Sequence, residues 1–300
     1  MSRDKSEAAT SLTQGGIQTI TFLITSFYGI LAVDWAGMVS IYYPKQRVFM
    51  NRSKVIKRVT LIMAMFEEAN AIITSLNMRE DSIQLNPKLP MRLFQTQQGE
   101  LEVSLVINGV DDRYQADYIG CEAATLASYE VICQLKPDLI ISAGTAGGFE
   151  QQGAKIGTVY LSADKFVYHD RHVPLAGFKD SAIGHYPAAQ TSKMARELDM
   201  PSGIISSGSS LEKFPSDITV IEGHNAVAKE MESAAIAWVA MLFDVPVMAV
   251  KSITNLIDQN NKSEDEFIAN LAFSSEALHQ QVLIILGYLE GKSLEDLSLD

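Results

Sequence analysis

Short, almost uninterrupted apolar runs recur along the chain, and most are followed by a stretch with helical composition. Residues 59–65, 137–143 and 246–253 have the length of a buried strand. Apolar runs of this length, bounded by turn residues, are typical of strands that are covered on both faces. Strands that alternate with helices form α/β domains. The pattern therefore predicts one α/β domain over residues 55–292, followed by a C-terminal tail at 293–300.

Composition and charge limit the classes of function. Of the 300 residues, 47% are hydrophobic and 20% charged, which is typical of a soluble globular protein. The formal net charge is −12 and Lys and Arg do not cluster, so nucleic acid is not an expected partner. Cys121 and Cys133 are too far apart along a predicted helix to form a disulfide. Neither the cysteines nor His169 have partners at metal-ligand spacing, so we expect no metal and no cofactor.

The N-terminal region is unusual because residues 17–33 carry no charged side chain. This length is marginal for a transmembrane helix, which needs about 20 residues. The stretch also resembles a signal-peptide core, but Asp34 and Trp35 follow it where small residues would mark cleavage. A third interpretation is a natural start at Met50. We expect residues 1–49 to lie outside the fold and the protein to be cytoplasmic; membrane association through residues 17–33 is the less favoured alternative.

Two carboxylates flank Met231 at the start of a helical pattern, in the sequence KEMESAA of residues 229–235. Glu is common in a first helical turn, where it faces solvent and the positive end of the helix dipole. In α/β proteins, ligands also bind where strands end and helices begin. Glu230 and Glu232 therefore fit either a solvated helix start or a ligand site.

Three other motifs have both a structural and a functional interpretation. Residues 144–148, GTAGG, form a glycine loop that either binds a ligand through N–H groups or is a tight turn. The loop lacks the sequence of a phosphate-binding loop and the helix of a dinucleotide fingerprint. Glu67 fits a solvated first helical turn, whereas its neighbour Glu68 fits either a solvated position or a general base. Residues 169–171, His-Asp-Arg, fit a structural turn better than a catalytic group.

Six short motifs occur in the order and spacing of the 5'-methylthioadenosine/S-adenosylhomocysteine nucleosidases, and the plant-type branch is the most similar. The motifs are MAMFEEA at 63–69, SAGTAGGF at 142–149, HDR at 169–171, SGSSL at 207–211, EMESAA at 230–235 and DEF at 265–267. The resemblance extends from about residue 57 to the C-terminal helix. It implies the single-domain, three-layer fold of the nucleoside phosphorylase superfamily, with a mixed twisted sheet flanked by helices, and it implies a homodimer.

The resemblance also implies a role for each matching residue. Glu68 would be the general base that activates water, and Glu232 would hold the ribose 2′ and 3′ hydroxyls. Met231 would pack on the ribose, with Glu230 beside it in the substrate-binding set. The other implied substrate-binding residues are Thr145, Ala146 and Gly147 near the sugar, Leu211 and Glu212 near the adenine, and Phe267 and Met65 around the 5′-alkylthio group.

Asn255 is the main departure from the family pattern and, with Glu68, the second candidate catalytic residue. The family has an aspartate at this position, which protonates N7 of the leaving adenine. An asparagine amide donates a hydrogen bond but no proton, and general acid catalysis contributes about 10²–10⁴-fold. Ser209 also stands where the family usually has aspartate. Three explanations are open: a slow or non-catalytic nucleoside-binding homologue, a preference for 6-oxopurine nucleosides, or replacement of the acid by Asp258 or a water molecule.

The sequence after the first strand bears on the nucleophile. Phosphorylases of this superfamily have a Gly-Asp-Pro loop here and arginines for phosphate, whereas this chain has MFEE at residues 65–68. A carboxylate at this place would repel phosphate, so we expect water to attack. The predicted activity is hydrolysis of the N-glycosidic bond of methylthioadenosine and adenosylhomocysteine, which gives adenine and a thioribose product and serves methionine salvage.

Overall fold

The structure is a computed structural model that describes residues 24–26, 29–33, 39–42, 53–81, 85–260 and 262–298. The chain divides into two compact units, Met1–Val48 and Phe49–Asp300. The first unit contains the strands β1 (Ile24–Ser26), β2 (Gly29–Val33) and β3 (Val39–Tyr42), which pair in antiparallel fashion. In the described residues we find no helix with the length and apolar character to cross a membrane. The start at Met50 and the expectations for residues 17–23 lie outside the described residues.

The second unit contains the alternating strands and helices that the sequence predicts. Its strands are β4 (Arg58–Met63), β5 (Arg79–Glu80), β6 (Arg92–Gln98), β7 (Leu101–Ile107), β8 (Val110–Asp111), β9 (Ala116–Asp117), β10 (Leu139–Gly148), β11 (Val159–Tyr168), β12 (Tyr186–Pro187), β13 (Ser202–Ser207), β14 (Ala226–Glu230) and β15 (Val247–Leu256). Its helices are α1 (Phe66–Ser75), α2 (Cys121–Leu135), α3 (Lys179–Ile183), α4 (Ser192–Glu197), α5 (Pro215–Gly223), α6 (Ser233–Leu242) and α7 (Ser263–Leu289). Two short 3-10 helices span Glu150–Gln152, between β10 and β11, and Glu295–Leu297, after α7.

Ten of these strands form one mixed sheet, in the order β12-β11-β13-β14-β10-β4-β7-β6-β5, with β15 paired to both β10 and β11. β4 runs parallel to β7 and β10, whereas β6 and β7 are antiparallel. Because β15 connects β10 back to β11, the strands β10, β14, β13, β11 and β15 form a closed ring. This architecture confirms the predicted α/β class, with a mixed sheet flanked by helices.

Two hydrophobic cores lie on opposite faces of the sheet, and adjacent strand residues alternate between them. Leu61 and Ile141 belong to the core that also contains residues of α1 and α7, whereas Ile62 and Ile140 belong to the core formed with α2 and α6. Successive side chains of a strand point to opposite faces. Because both faces are covered by helices, both must be apolar, which explains the continuous apolar runs in the sequence.

The glycine-rich residues 144–148 are not a loop, as the sequence analysis expects, but the end of strand β10. Their glycines allow close packing between strands and neighbouring side chains. A Cβ added to Gly147 would lie 2.7 Å from Ile257, and one added to Gly148 would lie 2.8 Å from the Cβ of Ala154. The prediction of a loop was wrong because composition alone does not distinguish glycine needed for a turn from glycine needed for close approach.

Three other boundaries differ from the expected ones. The helix predicted from residue 116 begins at Cys121, since residues 116–117 pair in a strand and Gly120 has a φ of 94°. The two short strands expected at 157–161 and 165–168 are one strand, β11, with a register irregularity between Ser162 and Phe166. In the expected tail at 293–300, Ser293 forms a bridge with Val55 and Leu297 is buried in the core.

Candidate active site

A cleft opens at the ends of β4, β10, β14 and β15, beside the first turns of α1 and α7. It encloses about 770 Å³ including its open mouth, within the range of small-molecule sites. Its walls are formed by Ala64, Met65, Glu68, Ile119, Ala143, Gly144, Thr145, Ala146, Gly147, Leu211, Lys229, Glu230, Met231, Glu232, Thr254, Asn255, Ile257 and Phe267. Eleven of the twelve site residues predicted from the sequence belong to this set, and their chemical roles remain predictions.

Glu68 projects into the cleft from the first turn of α1, directly after β4. Its Oε1 accepts hydrogen bonds from the backbone N–H of Thr145 at 2.9 Å and from the Thr145 hydroxyl at 2.5 Å. Burial raises the pKa of Glu68, an effect that the Thr145 hydrogen bonds and the Lys251 charge reduce only in part. A buried carboxyl group with a raised pKa, fixed by two donors, suits a general base. The exposed neighbour Glu67 has the solvated position expected for it.

Glu230 is a buried carboxylate whose oxygens are occupied by groups of the protein. Its Oε2 accepts from the backbone N–H groups of Glu232 and Ser233 at 3.1 and 2.9 Å, and its Oε1 accepts from the Ser207 hydroxyl. Lys251 Nζ lies 2.9 Å from Oε2. These contacts orient the first turn of α6, and with it Glu232. Contact of Glu230 itself with a substrate stays a prediction.

Lys251 is the one residue of this cluster that the sequence analysis did not single out, although a signal was present. It is a charged residue within an otherwise apolar strand, and the structure leaves only 1% of it exposed. Burial disfavours its charge, but Glu230 and Glu232 outweigh this effect and raise the pKa of Lys251. The ammonium in turn lowers the pKa of Glu230 against the opposing effect of burial. The two residues therefore form a buried ion pair beneath the cleft.

Glu232 lies between β14 and α6 and reaches the cleft at the point where α2 begins. Its Oε1 accepts a hydrogen bond from the backbone N–H of Gly120 at 2.9 Å. Burial, followed by the nearby charge of Glu230, raises the pKa of Glu232 to about 7. One carboxylate is therefore held by a backbone group while its second oxygen is available to a ligand. Met231, the neighbouring residue, forms part of the same wall.

Carboxyl groups outnumber ammonium groups in this part of the cleft. Three carboxyl groups, those of Glu68, Glu230 and Glu232, surround the ammonium of Lys251, and Lys229 contributes a second ammonium to the cleft wall. A Cβ on Gly144 would lie 3.3 Å from Glu68 Oε2 and 3.6 Å from Lys251 Nζ, so both groups face this glycine. An excess of buried negative charge favours ligands or transition states that carry positive charge.

Asn255 also lines the cleft, near the end of β15, and is 3% exposed. Its Oδ1 accepts a hydrogen bond from the Thr254 hydroxyl at 3.1 Å. This contact orients the amide, whose nitrogen carries two N–H donors. Asp258, one of the proposed substitutes for the missing acid, accepts instead from the backbone N–H groups of Glu150 and Gln151, both at 2.9 Å. Asp258 is not among the residues that line the cleft, so it is a poor candidate.

Leu211 and Glu212 belong to the segment between β13 and α5, and the structure separates them. Leu211 lines the cleft, as predicted. Glu212 is exposed and is not among the described residues that line the cleft. The resemblance implies a contact through backbone groups at this position, not through the side chain. A contact through its backbone remains a prediction.

The predicted alkylthio pocket is apolar. Met65 and Phe267 both line the cleft, and Ile119 is a further apolar lining residue that the sequence did not indicate.

Residues 169–171 are not among the described residues of the cleft lining and have structural contacts. His169 is fully buried, and burial lowers its pKa to about 4, so the imidazole is neutral near pH 7. Asp170 accepts from the backbone N–H of Ser209 at 2.7 Å, and Arg171 stacks on Tyr168.

Comparison with known proteins agrees with this geometry. The sequence-family model of the phosphorylase superfamily matches residues 58–290. A 5'-methylthioadenosine nucleosidase of Arabidopsis thaliana is 35% identical over 243 residues, which cover 81% of this chain and 91% of the relative. The chain belongs to the 5'-methylthioadenosine/S-adenosylhomocysteine nucleosidase family. A second member from the same plant, a 5'-methylthioadenosine/S-adenosylhomocysteine nucleosidase, is 33% identical over 81% of this chain and 95% of its own length.

The solved structures of nucleosidases support the same assignment. The apo form of the Arabidopsis thaliana 5'-methylthioadenosine nucleosidase superposes with a TM-score of 0.79 at 34% identity, over 81% of this chain and 100% of that one. The predicted resemblance to this family is therefore confirmed. The nucleosidase relatives match only part of the chain, and the model match begins at Arg58, the first residue of β4. The predicted position of residues 1–49 outside the fold stays a prediction.

Proposed function

We propose that this protein hydrolyses the N-glycosidic bond of 5'-methylthioadenosine and S-adenosylhomocysteine, releasing adenine and the thioribose product. The observation that carries the proposal is the pair of carboxyl groups of Glu68 and Glu232. They come from distant parts of the chain, face one cleft, and are each held by a backbone N–H of another element. The relatives named above as nucleosidases have the same fold and share about a third of their residues with this chain.

In the proposed mechanism, the sugar is bound and activated by the charged wall. Glu232 accepts hydrogen bonds from the 2′ and 3′ hydroxyls, while Met231 packs against the ring. Glu68 takes a proton from a water molecule as the water attacks the anomeric carbon. The glycosidic bond breaks through a state with positive charge on the sugar, which the excess of carboxylates around Lys251 stabilises.

The two ends of the substrate fit the other walls. Met65, Ile119 and Phe267 provide apolar surface for a 5′-thioether. Leu211 covers the purine and the Asn255 amide donates a hydrogen bond to it. Phosphate is disfavoured as the nucleophile, because the buried carboxyl of Glu68 would stand next to it. Water is therefore the proposed nucleophile.

Adenine release tests the proposal. The protein is incubated with methylthioadenosine, adenosylhomocysteine and inosine, and the free base is quantified by chromatography. Adenine from the first two substrates is the expected result. Calorimetric binding of methylthioadenosine without release would instead indicate a non-catalytic homologue, and release of hypoxanthine alone would indicate a 6-oxopurine nucleosidase.

We further propose a homodimer that acts in the cytoplasm in methionine salvage. The support for a dimer is an apolar surface on the outer faces of α2 and α6, where Leu126, Tyr129, Trp238, Leu242 and Phe243 are exposed. Exposed patches of this kind mark protein interfaces. Light scattering coupled to size-exclusion chromatography should give twice the mass of the chain, and Leu242→Lys should shift the protein towards the monomer. A monomeric wild-type protein would exclude this assembly.

A further inference from the structure

Lys229 is a second buried cation at the cleft, and the mechanism above does not use it. It belongs to β14, is 5% exposed, and forms part of the cleft wall. A buried lysine is uncommon and requires a reason, because burial of an ammonium without compensating contacts is costly. Glu230 forms its ion pair with Lys251 and not with Lys229, so that pair does not explain why Lys229 is buried.

Lys229 lies on the same row of the sheet as Asn255. In the pairing of β10 with β14, Lys229 is opposite Gly147, and residues directly opposite each other in a sheet point to the same face. In the pairing of β10 with β15, Gly147 is opposite Asn255, directly after a register shift between Ala146 and Gly147. A Cβ on Gly147 would lie 3.0 Å from Asn255 Nδ2, so the Asn255 amide lies on the same face despite the shift. Because the residue between them is glycine, it places no side chain between the lysine and the asparagine. Both residues line the cleft, as this arrangement requires.

The contacts of Lys229 leave a donor for a ligand. Its ammonium donates to the backbone carbonyl of Ser210 and, at 3.2 Å, to that of Leu211. An ammonium has three N–H donors, so two are used by the segment that lies over the purine position. Lys229 is therefore held at the base side of the cleft with one donor remaining.

The electrostatic environment of Lys229 suits the transfer of a proton. Burial lowers the pKa of Lys229, while Asp217, Asp170 and Glu230 oppose this effect and support the charged form. An acid with a pKa closer to neutrality gives up its proton more readily than an exposed lysine. The Asn255 amide, by contrast, has no proton to give.

We propose that Lys229 donates the proton that the leaving purine requires, the step for which Asn255 is unsuited. The inference rests on the proposed nucleosidase function. The bond between C1′ and the purine nitrogen breaks, and its electron pair remains on the base. The base takes a proton from Lys229 Nζ, water forms the new bond to C1′, and Glu68 takes the proton of the water. Exchange with solvent then returns a proton to Lys229 and removes one from Glu68, so one water is consumed.

The test compares kcat for methylthioadenosine in the wild type, Lys229→Met, Lys229→Arg and the matched control Lys213→Met. Lys213 donates to the backbone carbonyls of Ile257, at 2.9 Å, and Gln259, but is not among the described residues of the cleft wall. Lys229→Met should lower kcat about 100-fold, the lower end of what general acid catalysis contributes. Lys229→Arg keeps the charge but holds its proton too tightly, so it should remain slow. Lys213→Met should retain most of the activity.

Two further readouts separate proton donation from a structural role. In the wild type, kcat should fall at alkaline pH as Lys229 loses its proton. This fall should be absent in Lys229→Met. In the background of Asn255→Asp, which supplies a carboxyl acid, Lys229→Met should cost less than about tenfold in kcat. The same loss in both backgrounds, or an equal loss in Lys213→Met, would overturn the role of Lys229 while leaving the nucleosidase function intact. Failure of the wild type to release adenine would overturn both.

Discussion

The two sides of the cleft differ in how completely they are built. On the sugar side, Glu68 and Glu232 are each fixed by a backbone N–H group, and Glu230 and Lys251 form an ion pair beneath them. On the base side, Asn255 stands where the family has an acid. In the proposed mechanism, the binding of a ribose and the departure of a purine therefore depend on separate sets of residues. Each prediction below acts on one of these sides.

Lys251→Met should have the largest effect, because it leaves Glu230 as a buried carboxylate without its cation. Removal of one partner of a buried ion pair costs about 3–5 kcal/mol. Chemical denaturation should show this loss in the free energy of unfolding. Adding Glu230→Gln to Lys251→Met should restore part of the stability. A loss below about 1 kcal/mol, typical of a surface pair, would show that the pair does not support the sugar side.

Glu68→Gln should remove the general base while preserving the shape of the sugar side. We expect kcat to fall by about 10²–10⁴-fold, with little change in the affinity for methylthioadenosine. Steady-state kinetics and calorimetry measure the two quantities. The matched control is Glu67→Gln, a change at the exposed neighbouring residue, which should leave both unchanged. Equal effects at the two positions would contradict the assignment.

Asn255→Asp acts on the base side and should increase the rate. A carboxylic acid at this position can give a proton to the purine, so adenine release should be faster than in the wild type, by about tenfold if Lys229 already supplies part of this function. The comparison uses initial rates for methylthioadenosine with both proteins at the same pH. A slower variant would mean that the amide of Asn255 has a specific role in binding the base.

The pH dependence of ribose binding should reflect Glu232. Its pKa of about 7 in the free protein means that the carboxylate must lose a proton before it accepts two hydroxyls. Affinity for methylthioadenosine should therefore decrease below neutrality, by about fivefold between pH 7 and pH 6 for a single group. Glu232→Gln should remove this dependence in calorimetric titrations.

The raised pKa of Glu232 affects stability in the opposite direction, because it favours the folded state at low pH. Glu232 has a higher pKa folded than its ordinary value of 4.5, so the folded state retains a proton that the unfolded chain has lost. Its contribution to stability is fully present below pH 4.5 and is lost as the pH rises through about 7. The free energy of unfolding of the wild type should therefore fall relative to that of Glu232→Gln between pH 5 and pH 7. A constant difference between the two proteins would refute this.

The strands and most of the cleft could be predicted from the sequence. Apolar runs covered on both faces, such as β4 and β15, are a local property of the chain, because periodicity and length are sufficient to indicate a strand. The positions of Glu68 after β4, Glu232 after β14 and Asn255 near the end of β15 also follow from local order, since α/β sheets place ligands at strand ends. The departure at Asn255 was visible only because six short motifs fixed the alignment.

Tertiary structure alone decided the partners and the burial of the charged groups. The hydrogen bond from Gly120 to Glu232 joins residues 112 positions apart, and the bond from Thr145 to Glu68 joins residues 77 positions apart. The conversion of the glycine stretch into the end of β10, and the row that joins Lys229 to Asn255, depend on strand pairing. A lysine within an apolar run, as at Lys251, indicates a buried charge, but its partners and the resulting pKa values are set by neighbours from distant parts of the chain.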